Sequence, residues 1–327
     1  MNRYARIFGQ YLLVVAAAVV LNFALPRLAP GGPIEYLAPP ADGTVSEVER
    51  EEILARYDLE GSTGDQFVSY MENLVNGDLG TSIRESRPVV EVIGDRVLWS
   101  LLLVGTAVIV SSVLGVMLGF AAGWRRGSRR DASILSGVLA VDALPAFFVG
   151  LMLLLVFSVK LGWFPVYGAV SAEEMDGFAR VLDIGRRLVL PATTLTLVGL
   201  GSVFVVARSA MISETGEDYV FMARAKGLDE KGVRRHARRN ALLPVSTVSL
   251  LGFSTLVGTA TIVETVFSYP GLGSLGFAAV RSRDYPLLQG VFILFALVAI
   301  AVNLANDLLY PLLDPRVRQA GSSENDS

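Results

Sequence analysis

The stretch "EDYVFMARAKGLDEKGVRRHARRNALLP" runs from Glu217 to Pro244 and carries seven Lys or Arg, four acids and the chain's single histidine, His236. Uncharged runs lie on either side of it, Leu188 to Ala207 before and Ala241 to Val263 after. A helix needs about 20 apolar residues to cross a bilayer core, and both runs supply them. The charged segment therefore reads as a surface element between two membrane crossings.

Four further runs meet the same length. Ile7 to Pro26, Val97 to Trp124 and Tyr285 to Asn306 carry no charge, and Ala132 to Val159 carries only Asp142. The chain is 52% hydrophobic over 327 residues, with a mean hydropathy of +0.52, too apolar for an ordinary soluble domain. The first run follows Arg3 and Arg6 as a signal peptide would. Its apolar core is longer than a signal core, and Pro26 and Arg27 follow where a small-residue cleavage site would stand. It reads as a retained membrane helix. The expectation is an all-α integral membrane protein with six crossings.

Basic residues mark the cytoplasmic flanks of such helices. They concentrate at Arg3 and Arg6, in "WRRGSRR" (124–130), in the 208–239 segment and at Arg316 and Arg318. Pro30 to Asp95 holds 14 acids and four arginines. Both ends of the chain are thus expected in the cytoplasm and the long acidic loop outside, in the plasma or inner membrane. Within that loop, "SEVEREEILARYDL" (46–59) opens on a capping-box pattern, Ser46 with Glu49. "GDQFVSYMENLVNGDLGTSI" (64–83) places Phe67, Tyr70, Met71 and Leu74 on one stripe before Gly77. Two short helices are expected there.

The opening segment divides at Gly227, a natural left-handed residue with which to end a helix. Thr215 followed by Asp218 reads as the start signal. Tyr219, Met222 and Ala223 are expected on one face, with Arg224 and Lys226 elsewhere. A second helix is expected from about Asp229 to Asn240, running into Pro244 at the start of the fifth crossing. Two readings stay open on physics alone. One is an amphipathic helix and basic cluster resting on anionic lipid. The other is a docking element whose small residues, Ala223, Ala225 and Gly227, allow close approach to a cytoplasmic partner.

Cysteine is absent, which excludes disulfides, thiol chemistry and a Cys/His zinc site. Lysine occurs only at 160, 226 and 231, against 25 Arg. No G-x-x-x-x-G-K-[ST] phosphate loop occurs, nor an H-E-x-x-H pair. Gly115, Gly119 and Gly123 form a small-xxx-small ladder suited to close helix packing. Asp142, as an ionisable residue inside a crossing, is a gate or cavity candidate, with a backbone-bonding role beside Pro145 as its competitor. Glu264, at the outer end of the fifth crossing, is the other translocation candidate. His236, alone among arginines, reads as docking or structural rather than as a metal ligand.

The stretch 218–244 resembles the cytoplasmic loop of binding-protein-dependent ABC transporter permeases. Ala223, Ala225 and Gly227 match that loop's small residues and glycine, and Leu243-Pro244 matches its Leu-Pro. The resemblance is sharper to the dipeptide/oligopeptide/nickel importers, first-subunit type. "GDLGTSI" (77–83), "LGWFPVYG" (161–168), "LVLPATTLTL" (188–197), "ARSAM" (207–211), "IVETVFSYPGLG" (262–273), "RDYPLLQG" (283–290) and "NLANDLLYPLLDPRVR" (303–318) follow in the same order. "GTAT" at 258–261 departs mildly from the pattern.

The resemblance implies the type I ABC importer permease fold. It implies an N-terminal crossing (1–29), an extracellular loop (30–95), a permease core (96–316) with its coupling loop at 213–240, and a disordered tail (317–327). It implies a non-enzymatic transport subunit for di- or oligopeptides, with nickel or another small solute as the alternative. The implied partners are a second permease subunit, two cytoplasmic ATPases that bind the ATP, an extracellular substrate-binding protein and membrane lipid. No cofactor in this chain and no nucleic acid is implied. The ATPase-coupling residues would be Glu217, Asp218, Tyr219, Met222, Ala223, Arg224, Ala225, Lys226, Gly227, Leu228 and Pro244. The rival from another class is a self-sufficient ion-coupled carrier, which usually shows several intramembrane acids; Asp142 alone qualifies here.

Overall fold

The computed structural model describes residues 3–28, 61–173 and 175–313. The expected helix at 46–59 and the 317–327 tail lie outside the described residues. Every regular element among the described residues is a helix. In order they are α1 (Arg3–Leu28), α2 (Thr63–Val75), α3 (Val89–Gly123), α4 (Arg129–Asp142), α5 (Ala146–Leu153), α6 (Gly177–Thr215), α7 (Asp218–Ala225), α8 (Glu230–Val266), α9 (Leu272–Ser282) and α10 (Tyr285–Leu313). A π-helix, Leu154–Lys160, continues α5.

Four helices (α3, α6, α8 and α10) are long and apolar enough to cross a membrane. The run 132–159, expected as one crossing, is instead two helices meeting at 97°. Pro145 is the cause: it cannot donate to a helix ladder, and it pushes the residue before it out of helical conformation. Pro145 itself is extended (ψ 140°) and opens α5. Read as one broken span, the pair is a fifth crossing. In α1, Phe8–Ala24 is a further, shorter apolar stretch.

The chain forms two compact units. One comprises residues 1–99 with 270–300. Here α2 begins at a complete capping box: Asp65 N–H donates to Ser62 Oγ, and Ser62 N–H donates to Asp65 Oδ2. The predicted stripe on α2 meets α1, with Phe23 edge-on to Phe67 at 5.0 Å and against Tyr70 at 5.6 Å. Asn22 Nδ2 donates to Tyr70 Oη and to the Gln289 carbonyl. Val89, Ile93, Leu272, Leu275, Leu287 and Val291 form the apolar centre of this unit. Asp284, fully buried, accepts from Ser82 Oγ at 2.5 Å and from the Arg84 and Leu287 amides. It thereby ties the 77–88 loop to the start of α10.

The second unit comprises residues 100–269 with 301–327. Its centre is α6, packed along α3 by the glycine ladder. A Cβ on Gly115 would stand 2.7 Å from Val203 Cγ1, one on Gly119 2.6 Å from Ala207 Cβ, and one on Gly123 2.7 Å from the Arg208 carbonyl. The ladder is therefore an internal contact of this chain. Asp131 and Arg208 join α4 to the same helix. The "LGWFPVYG" stretch is held by Ser158 Oγ, which donates to the Phe164 and Pro165 carbonyls, and by Arg187, which donates to the Tyr167 carbonyl at 2.7 Å.

Candidate functional site

The charged segment folds as α7 and the first turns of α8. Thr215 does not cap α7, as its position suggested; it ends α6 and donates to the Ile212 carbonyl. The N-cap is Glu217, which makes no side-chain cap bond, so Glu217 and Asp218 act on the helix only through their charge at its positive end. The C-terminus is as the glycine required. Gly227 has φ +81°, its N–H donates to the Arg224 carbonyl, and the Leu228 N–H donates to the Ala223 carbonyl. That double closure is the Schellman motif.

The face of α7 turned inward differs from the expected one. Val220 is buried against Met211, Val233, Ala237 and Ala241, with Tyr219 and Ala223 beside it. Met222 points outward, 54% exposed, next to Phe221 at 72%. An eight-residue helix offers too few turns for periodicity to choose between adjacent faces. Leu228, Ala225, Lys226 and Gly227 are exposed as well, so α7 presents an apolar and small-residue surface away from its own chain.

Polar contacts fix the angle of this short helix. Tyr219 Oη donates to Glu214 on α6 and also bonds Asn240 on α8. Burial pushes the Tyr219 phenol up to about 12, and the Glu214 carboxylate adds to the shift. Arg224, expected to face a partner, pairs with Glu230 at 3.0 Å and lies over the Trp124 ring at 5.8 Å. His236 Nδ1 lies 3.1 Å from the Gly232 carbonyl, a structural contact within α8.

The second helix is not separate from the fifth crossing. Asp229 caps it by accepting from Gly232 N–H, and α8 then runs unbroken to Val266 with Pro244 inside. Pro244 deprives the Asn240 carbonyl of its helical donor, and the Asn240 side chain already belongs to the Tyr219 contact.

A cavity of about 520 Å³ opens within this same unit between α3, α4, α6 and α8. Asp142, the last residue of α4, lines it together with Ser111, Ser202, Ser249 and Thr255. Its carboxylate rests on bare backbone: a Cβ on Gly201 would be 2.1 Å from Asp142 Oδ1. The Asp142 candidate thus reaches the wall of this cavity, whereas Glu264 does not line it. Glu264 is wholly buried near the end of α8 and accepts from Ser100 Oγ at 2.6 Å. Sequence reasoning missed Gly201 and the lining hydroxyls, because nothing local marks residues that only folding brings beside Asp142.

Residues 115–319, which include the glycine ladder, the coupling segment and Asp142 with the α6 and α8 walls of its cavity, match the model of the family described as binding-protein-dependent transport system inner membrane component. The chain belongs to that family. Similar curated proteins align over nearly its full length. The Di/tripeptide transport system permease protein DppB of Pseudomonas aeruginosa (strain UCBPP-PA14) is 36% identical over 96% of this chain and 98% of its own. The Oligopeptide transport system permease protein AppB of Bacillus subtilis (strain 168) is 33% identical over 93% and 95%. The Dipeptide transport system permease protein DppB of Escherichia coli (strain K12) is 33% identical over 96% and 97%. This chain is therefore a permease component, a multi-pass protein of the inner membrane.

Proposed function

We propose that this permease forms part of the translocation pathway of an ATP-driven importer of di- and oligopeptides, crossing the membrane six times with both ends in the cytoplasm. Its work requires a second permease subunit beside it, two cytoplasmic ATPase subunits that bind the ATP, and an extracellular binding protein that delivers peptide. The chain itself carries no cofactor. The observation that carries the coupling role is the two-sided α7. Val220 anchors one side to α6 and α8, while Phe221, Met222 and Ala225 are offered outward. Apolar surface flanked by Lys226 and the α8 arginines suits a protein cleft with an acidic rim. The near full-length similarity to peptide permeases supports the substrate class.

In this mechanism ATP binding draws the ATPases together and moves α7. Because α7 is seated on α6 and α8 through Val220, Tyr219 and Ala223, its displacement is passed to both crossings. The test is a cross-link. The chain has no cysteine, so Ala225→Cys can be paired with single cysteines along the cleft of the ATPase subunits. A disulfide that changes with ATP supports the reading. No cross-link to any ATPase, together with uptake that survives ATP depletion, overturns it.

A further inference from the structure

The cavity beside Asp142 has a one-sided chemistry. Its single charged lining residue is Asp142; among the described residues no lysine, arginine or histidine lines it. Two of the lining hydroxyls add to this bias. Ser111 Oγ donates to the Val108 carbonyl and Ser202 Oγ to the Gly199 carbonyl, both at 3.2 Å. Each hydroxyl has one hydrogen to give. With that hydrogen committed to the helix backbone, Ser111 and Ser202 offer a ligand only lone pairs. The wall therefore combines one carboxylate, the two acceptor oxygens of Ser111 and Ser202 and three further hydroxyls, Ser112, Ser249 and Thr255, with apolar residues such as Val198, Val205 and Leu251.

Such a wall selects a ligand group that carries positive charge and several N–H donors. A charge facing an apolar, concave wall is poorly screened and acts strongly on what enters. A metal ion is a poor match, since a single carboxylate supplies the charge. Among the described residues no group of three or more His, Cys, Asp or Glu stands ready to hold one. A carboxylate ligand would be repelled by Asp142, with the Ser112, Ser249 and Thr255 hydroxyls as its donors on the lining side chains.

We propose that this cavity is a subsite for the protonated α-amino group of a peptide in transit, with Asp142 as its counter-ion and Ser111 and Ser202 as further acceptors. The inference rests on reading the chain as a peptide permease. Gly201 is part of the site, because only a residue without a side chain lets the Asp142 carboxylate lie against α6.

Val205 lines the cavity and is 45% exposed, so Val205→Cys provides a single reporter thiol in the full chain in its native membrane. Dialanine should slow modification of that thiol by a small methanethiosulfonate reagent, and N-acetyl-dialanine, which has no ammonium, should not. Adding Asp142→Asn should weaken the protection by about tenfold in dialanine concentration, the scale of one charge-assisted hydrogen bond; Asp142→Glu should retain most of it. Equal protection by the acetylated peptide, protection unchanged in Asp142→Asn, or no protection by dialanine each overturns the proposal. If Asp142→Asn fails to reach the membrane, the comparison of the two peptides on Val205→Cys alone decides. Uptake of labelled dialanine by the same cells reports separately on the permease reading. Uptake without selective protection refutes the subsite and leaves that reading standing.

Discussion

Arg208 and Asp131, 77 positions apart, meet in a two-pronged ion pair: Nε lies 2.7 Å from Oδ1 and Nη2 lies 2.8 Å from Oδ2. Asp131 is almost wholly buried and also accepts from the Gly127 amide at 2.9 Å. Breaking a buried pair strands the surviving charge and costs about 3 kcal/mol. Asp131→Ala and Arg208→Ala should each destabilise the protein by roughly that amount, and the double variant by clearly less than their sum. Unfolding in mixed detergent micelles, run as a double-mutant cycle, measures the coupling. Strict additivity would show that the pair contributes nothing.

The glycine ladder makes a prediction with its own control. Gly119→Ala puts a methyl 2.6 Å from Ala207 Cβ and 2.8 Å from the Phe204 carbonyl, so α3 and α6 must part. A cost of about 1–3 kcal/mol is expected for overpacking of this kind. Gly105→Ala, on the same helix with nothing within 4 Å of the added Cβ, should be neutral or slightly stabilising. Thermal unfolding of the two variants side by side checks both.

The two sides of α7 should separate stability from transport. Val220→Ala removes buried contacts at a residue 1% exposed and should lower stability by about 1–2 kcal/mol. Phe221→Ala acts on a side chain 72% exposed and should leave unfolding unchanged while reducing peptide uptake. Ala225→Asp should abolish uptake with the subunit still inserted and folded. Normal uptake from Ala225→Asp would remove α7 from the coupling role.

Tyr219 gives a titration. Its phenol rises from the ordinary 10.0 to about 12, through burial first and the Glu214 carboxylate second. A raised value means that the neutral form is favoured by folding. Its contribution is complete below pH 10 and is lost as pH climbs through about 12. The ultraviolet phenolate difference between the protein and Tyr219→Phe should show a midpoint near 12. A midpoint near 10 would mean that the burial of Tyr219 and its contact with Glu214 do not persist in solution.

Much of this arrangement could be read before any coordinates. Gly227 had to take a left-handed conformation to end a helix just there, and it does. The α2 stripe of Phe67 and Tyr70 met an aromatic partner. The ladder at 115, 119 and 123 found a helix to lie against. What escaped was decided by tertiary geometry. Pro145 signalled a disturbance but not a 97° turn, because a proline in an apolar run can also kink gently. Met222, expected on one face with Tyr219 and Ala223, is exposed and Val220 is buried beside them instead, since the burial of α7 depends on where α6 and α8 stand. Arg224 found Glu230 and Trp124 within its own chain. The meeting of Asp142 with Gly201 spans 59 positions that no local pattern connects.

The fit of α3 on α6 has a mechanical corollary. Two cylinders touching at Cα-level, with gaps too small for a methyl, cannot slip past one another by a fraction of a turn. They form a single strut. Under the proposed coupling role, a push arriving at α7 would enter α6 through Gly216, and α3 would travel with it. On that role, the compliance has to come from a joint elsewhere. The 97° bend at Pro145, with Asp142 at its edge, is where the described residues offer one.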